Sequence, residues 1–105
     1  MLLSFVIPVL NEEDSLRRLT AEIVANCQPH AHEIIFIDDG SRDNGFAVME
    51  ELAASDPHIR IVKFRRNFGK AAALQYGFRL ARGDVVFTLD ADLQDNPVEI
   101  PKFLA

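Results

Sequence analysis

A single cysteine, Cys27, is the only thiol in the sequence, so an internal disulfide is excluded and a reducing, cytoplasmic setting fits. Positive charge is also scarce. Eleven lysines and arginines stand against 16 aspartates and glutamates, a net charge of −5. That balance argues against a nucleic-acid binder that works through a basic field. The longest wholly apolar stretch near the start, Phe5 to Leu10, is far too short to span a bilayer, and no cationic segment precedes it as in a signal peptide. There is no internal repeat, linker or low-complexity tract, and the glycines form no Gly-x-Gly-x-x-Gly fingerprint. What is there, 105 residues that are 49% hydrophobic and 26% charged, suits one soluble globular domain over residues 1–105 with a single core.

Strand and helix patterns alternate along the chain. Leu3 to Val9 reads as a strand, with Pro8 near its end where proline is tolerated. Asn11-Glu12-Glu13-Asp14 follows, acid-rich as a helix start should be. Leu16, Leu19, Ile23, Val24 and Cys27 then recur at helical spacing up to Pro29. Ile34 to Ile37 is a second strand, and Phe46, Met49, Leu52 and Ala53 mark a second helix that ends before Pro57. Ile59 to Phe64 is a third strand. A third helix over Ala71–Arg82 is predicted to bury Leu74, Phe78 and Ala81, with Gly83 as its C-cap. Gly69 and Gly77 are expected to serve close packing. Val85 to Leu89 reads as a buried fourth strand, and a last helix starts around Asn96-Pro97. Helices between strands imply right-handed crossovers and an α/β fold with an open Rossmann-like parallel sheet, covered on both faces.

The fourth strand runs into Asp90-Ala91-Asp92-Leu93-Gln94-Asp95, three acids and an amide within six residues. In an extended chain Asp90, Asp92 and Gln94 would share one face within about 14 Å. Carboxylates that close repel unless a cation sits between them, and a hard divalent ion bridging to a phosphate is the usual solution. The other acids fall in register with this reading. Asn11 and Glu12 follow strand one, and Asp38 and Asp39 follow strand two, so all lie on the carboxyl edge where open α/β sheets bind ligands. With strand order 3-2-1-4, the crevice opens between strands one and four, flanked by the Asn11 and Asp90 loops. A plainer reading stands beside each motif. Asp38-Asp39-Gly40-Ser41 is equally a turn with a helix cap, and Arg65, Arg66 and Lys70 are equally a solvated charge run, although a cation here would have a phosphate to answer. His30, His32 and His58 fall at the opposite edge and read as surface residues; Cys27 reads as core.

Four motifs in order resemble glycosyltransferase family 2. They are Val6-Ile7-Pro8-Val9-Leu10-Asn11-Glu12-Glu13, Ile37-Asp38-Asp39-Gly40-Ser41-Arg42-Asp43, Arg66-Asn67-Phe68-Gly69, and Gly83-Asp84 through Leu89-Asp90-Ala91-Asp92-Leu93-Gln94-Asp95. The Asp-Ala-Asp-Leu-Gln-Asp run and the Asn-Phe-Gly loop are most similar to the dolichol-phosphate mannose synthase-like branch, which moves a sugar from a nucleotide diphosphate onto a polyprenyl phosphate. The resemblance implies the donor-binding half of a GT-A fold and an inverting transfer. It implies that Pro8, Leu10, Asn11 and Glu12 line the nucleotide pocket, Asp39 accepts a hydrogen bond from the base and Asp38 supports that loop. Asp90 and Asp92 would be the catalytic carboxylates, with Asp90 and Ala91 beside ribose and sugar, Lys70 near the phosphates, and Asp92 with Gln94 holding Mg²⁺ or Mn²⁺.

The implied partners are a UDP- or GDP-linked sugar and a polyprenyl phosphate, the latter held by a half of the enzyme that lies beyond this chain. The parent enzyme would sit at the cytoplasmic face of a membrane. The isolated chain is expected not to turn over, and its bared apolar surface to favour a homo-oligomer. Two departures stand out. Leu10 replaces the common tyrosine, removing a stacking ring, and Asp95-Asn96-Pro97-Val98 replaces Asp-Pro-Pro-Glu, with an acid only at Glu99. Two other readings stay open: a donor half serving a saccharide hydroxyl, and a non-catalytic α/β interaction module.

Overall fold

A computed structural model describes residues 1–92 and 97–104. Its sheet has four parallel strands in the order β3-β2-β1-β4, with β1 at Leu2–Val9, β2 at Ala31–Asp38, β3 at Ile59–Lys63 and β4 at Val85–Thr88. Helices α1 (Leu16–Cys27), α2 (Gly45–Ser55) and α3 (Lys70–Leu80) make the crossovers; a short turn at Pro97–Glu99 leads into α4 (Ile100–Leu104). The parallel pairing is the one the alternation of patterns implies, and the order is the 3-2-1-4 under which the crevice opens between strands one and four.

Side chains alternate across a strand, so β1 supplies both faces of the core. Leu3, Phe5, Ile7 and Val9 meet Leu16, Leu19, Ile23 and Cys27 of α1 and Met49 of α2 on one side. Val6, with Ile35 and Ile37 of β2, meets Ala73 of α3 on the other. Burial on both faces explains why β1 and β2 read as unbroken apolar runs. β4 differs from expectation. Among the described residues it pairs only with β1, and Val86 and Thr88 are exposed. Phe87 stacks on Phe5 at 5.2 Å, but α3 covers β1 and β2 rather than β4. An apolar composition looks the same in an edge strand and a central one.

Helix α3 corrects three expectations. Its buried residues are Ala73 and Gly77, whereas Phe78 is 49% exposed. A Cβ on Gly77 would stand 2.2 Å from Val6 Cγ1, so the helix lies against β1 with no room for a side chain. That is the close packing expected of Gly77. Gly83 is not the helix cap, because α3 ends at an extended Ala81 (φ −64°, ψ 132°). Gly83 instead lies against β1, where a Cβ would meet Ser4 Oγ at 2.5 Å. Gly69 has nothing within 4 Å of its would-be Cβ; its φ of +101° is what requires glycine there. The acid-rich stretch before α1 does not cap it through a side chain either: the N-cap is Ser15, with no side-chain cap hydrogen bond.

A buried polar knot ties the amino ends of the sheet together. Ser4 Oγ donates to Glu33 Oε2 at 2.5 Å, the Arg82 amide donates to the same oxygen at 2.6 Å, and Arg60 Nη2 reaches Oε1 at 2.8 Å. Arg60 also donates to the Leu80 carbonyl, and the Gly83 amide to Ser4 Oγ. Burial pushes the Glu33 carboxyl up, but the hydroxyl, the amide and the guanidinium outweigh it and hold it below the usual range.

Two predictions follow from this packing. A depressed carboxylate contributes stability that is full above its unfolded pKa and is lost as pH falls through the folded one. Glu33→Gln should therefore cost about 1.5–3 kcal/mol at neutral pH, with the gap to wild type narrowing in urea melts as pH is lowered below the ordinary carboxylate range. Gly77→Ala should destabilise by about 1–3 kcal/mol through the Val6 clash, although alanine is the better helix former by about 1 kcal/mol. An alanine variant as stable as wild type in the same melts would contradict the close approach.

Candidate functional site

The carboxyl ends of β1, β2 and β4 surround a cavity of about 500 Å³. Pro8, Leu10 and Glu12 reach it from β1 and its loop, and Asp39 from the end of β2. Lys70 comes from the first turn of α3, and Asp90, Ala91 and Asp92 from the segment after β4. Asp39 and Asp92 thus open onto one space. Val9, Asn67 and Gly69 complete the lining; Asn67 lay inside a motif read from the sequence, yet no role was assigned to it.

Two expected positions fall elsewhere. Asn11 does not line this cavity: it borders a neighbouring one together with Arg42, Lys63 and Arg66. Its φ is +55°, its amide donates to Ser41 Oγ at 3.0 Å, and its Oδ1 accepts from the Arg42 amide at 2.7 Å. It laces the first loop to the second. Asp38 is fully buried behind the cavity, where its Oδ1 accepts from the Ser41 amide at 3.0 Å. Gln94 lies outside the described residues.

The second loop fastens the third. Asp39 is 4% exposed, and its two carboxylate oxygens accept from the amides of Phe68 at 2.8 Å and Gly69 at 3.1 Å. Gly40, at φ +85°, lets the backbone at Arg66 and Asn67 pass against it; a Cβ would stand 2.7 Å from the Asn67 nitrogen. One carboxylate therefore sets both the cavity wall and the start of α3. Ser15 Oγ donates to the Ala91 carbonyl, which ties the segment after β4 to the beginning of α1. This segment is not extended. The strand stops at Thr88, and Ala91 and Asp92 lie in a turn, so Asp90 and Asp92 share the cavity through a bend rather than by strand alternation.

Charge is unevenly spread here. Glu12, Asp39, Asp90 and Asp92 line the space against one ammonium among the described residues, Lys70, which pairs with Asp90 Oδ1. Burial raises the Glu12 carboxyl above its usual range, and the charges of Asp92 and Asp43 raise it further against a hydrogen bond from Ser15. A cluster of oxygen donors that repel one another suits a hard divalent cation such as Mg²⁺ or Mn²⁺, and the donor set fits such an ion. The apolar patch from Pro8 and Leu10 beside it suits a flat ring.

Known proteins resemble this chain in sequence and fold. The family described as Glycosyl transferase family 2 matches residues 4–105. An undecaprenyl-phosphate 4-deoxy-4-formamido-L-arabinose transferase of Pseudomonas fluorescens is 49% identical over 104 residues, which cover 96% of this chain and 30% of that protein. The chain thus spans about 30% of the length of the curated relatives it matches. The mannosyltransferase PcManGT from Pyrobaculum calidifontis, solved with GDP-Man and Mn²⁺, superposes with a TM-score of 0.78 at 26% identity over 86% of this chain and 27% of that one. TarS of S. aureus shares the fold with a TM-score of 0.83 at 22% identity, over 99% of this chain and 31% of its own. With a family match over nearly all its residues and a GT-A-type half-sheet to accommodate it, the chain belongs to glycosyl transferase family 2.

Proposed function

We propose that this chain is the nucleotide-sugar-binding part of an inverting glycosyltransferase that passes its sugar to a polyprenyl phosphate. Undecaprenyl phosphate, in the name of the Pseudomonas relative, is the acceptor the reading favours. The observation that carries it is that Asp39, Lys70, Asp90 and Asp92, brought from three separate strand–helix junctions, line one cavity at the carboxyl edge of the sheet.

In this reading Pro8 and Leu10 form the apolar wall against a uracil or guanine ring. Asp39 accepts a hydrogen bond from the base with the lone pairs its loop contacts leave, and Asp38 keeps its turn in place. Asn11 acts by shaping the rim rather than by touching the donor. Asp90 and Ala91 border the ribose and the sugar, and Lys70 answers part of the diphosphate charge. Asp92, with Glu12 close by and Gln94 as helper, holds Mg²⁺ or Mn²⁺; Mn²⁺ accompanies GDP-Man in the Pyrobaculum neighbour. When bound, such an ion neutralises the departing nucleoside diphosphate. The acceptor phosphate is already anionic at neutral pH, so this chain need not supply a general base. A lipid acceptor puts the working enzyme at the cytoplasmic face of a membrane, although no described helix is long and apolar enough to cross one.

Calorimetric titration with UDP and with GDP in the presence of Mn²⁺ tests the reading. One nucleotide should bind saturably, and chelation of the metal should remove the binding. Asp92→Asn should weaken it by more than about tenfold, the loss that even outer-shell changes around a metal produce. The same variant should melt like wild type, because Asp92 is exposed. Flat titrations with both nucleotides, on protein shown to be folded by circular dichroism, would overturn the assignment.

A further inference from the structure

We propose that His32, Asp56 and His58 form a Zn²⁺ site at the amino edge of the sheet, at the opposite strand ends from the donor cavity. His32 stands at the start of β2, and Asp56 and His58 lie in the turn between α2 and β3. His32 Nε2 is 3.3 Å from one carboxylate oxygen of Asp56, and His58 Nδ1 is 3.2 Å from the other. One ligand atom from each of the three residues lies within 4.8 Å of the others.

Both contacts are longer than a charge-assisted N–H···O bond, which draws in to about 2.7–2.9 Å. Zinc bound at about 2.0–2.1 Å to nitrogen and oxygen sets neighbouring ligand atoms about 3.3 Å apart in a tetrahedron. Each imidazole nitrogen already stands about that far from a carboxylate oxygen, His32 from one and His58 from the other. Sharing one ligand oxygen therefore takes a rotation of the Asp56 carboxylate or of the His58 side chain, which is 63% exposed. Two imidazoles with one carboxylate select zinc over the hard ions suited to the donor cavity.

The ligands also sit on a prepared frame. The Ile34 amide donates to the His58 carbonyl at 3.0 Å, joining the turn to β2. The Ile59 amide donates to the Asp56 carbonyl, and the His58 amide to Asp56 Oδ1 at 2.8 Å, so the backbone aims the carboxylate. His32 was expected at the surface, but its side chain is only 12% exposed, which limits its rotamers before any ion arrives. The two rings meet at 5.3 Å with a 59° tilt, and water has access on the His58 side for a fourth ligand. A bound ion would pin β3, the outer strand beside β2, to the rest of the sheet without a disulfide.

The test uses the tag-free full chain after chelation, titrated with Zn²⁺ and followed by calorimetry and thermal melting. A single equivalent should bind and raise the melting temperature, whereas Mg²⁺ should do neither. Co²⁺ should give the visible absorption of a tetrahedral site. His58→Ala, at an exposed position, and Asp56→Asn should each weaken Zn²⁺ by more than about tenfold, and Asp92→Asn should leave its affinity unchanged. Absence of a Zn²⁺-dependent shift in folded wild type would show a hydrogen-bonded clamp and overturn the site. So would undiminished binding by His58→Ala, or loss of binding in Asp92→Asn.

Discussion

Parallel pairing on both sides of β1 is the constraint on which the other features depend. A strand hydrogen-bonded to β2 on one flank and β4 on the other, and buried on both faces, leaves its neighbours no freedom of direction. Each crossover must then return the chain to the same end of the sheet. The loops after β1, β2 and β4 therefore converge on one edge, whatever their own sequences prefer. Convergence is a property of topology; the acids at the loop tips turn it into chemistry.

Convergence alone would leave three independent loops. Asp39 ties the loops after β1 and β2 to the loop after β3, because its backbone amide bonds to the Val9 carbonyl at the end of β1 while its carboxylate holds the amides of Phe68 and Gly69. The Ser15 hydroxyl on the Ala91 carbonyl holds the segment after β4. Asn11 and Ser41 add a second lacing between the first and second loops. Such reciprocal side-chain-to-backbone bonds satisfy amides that would otherwise be stranded at the edge of the sheet. The site is thus held by the same groups that end the strands. A residue such as Asp39 then carries a structural role beside the binding role proposed for it, and substituting it confounds the two. Asp92, exposed and in a turn, separates them more cleanly.

Parallel pairing and the identity of the rim are legible in the sequence because both follow from period and position, whereas the order of the strands does not. Apolar runs alternating with helical stripes force a parallel sheet, and acids after three strands lie on its carboxyl edge. The packing of α3 was legible only in part: Gly77 makes the close contact with β1 expected of it, whereas Phe78, expected in the core, points away. Gly83 and Gly69 carried the same ambiguity, since a close approach and a positive φ leave one letter in the sequence. The Glu33 knot was missed for another reason. Ser4, Glu33, Arg60 and Arg82 are far apart in the chain, and no local pattern predicts that a buried carboxylate will find all its partners. His32 and His58 were judged singly, and only the pairing of β2 with β3 brings them to Asp56.

The balance of charge in the donor cavity bears on how an anion can enter it. Four carboxylates face the space with one lysine among the described residues, and that lysine is paired with Asp90. Burial raises the Glu12 carboxyl, and the charge of Asp92 across the cavity adds to it. A bare diphosphate would add to that repulsion in a partly enclosed space, where the surrounding protein screens it less than water does. A divalent cation changes the sign of the problem, since carboxylates that repel a phosphate attract the ion that binds it. Under the proposed function, the acidic rim would make nucleotide affinity conditional on metal and favour ligands whose phosphoryl oxygens can share that ion.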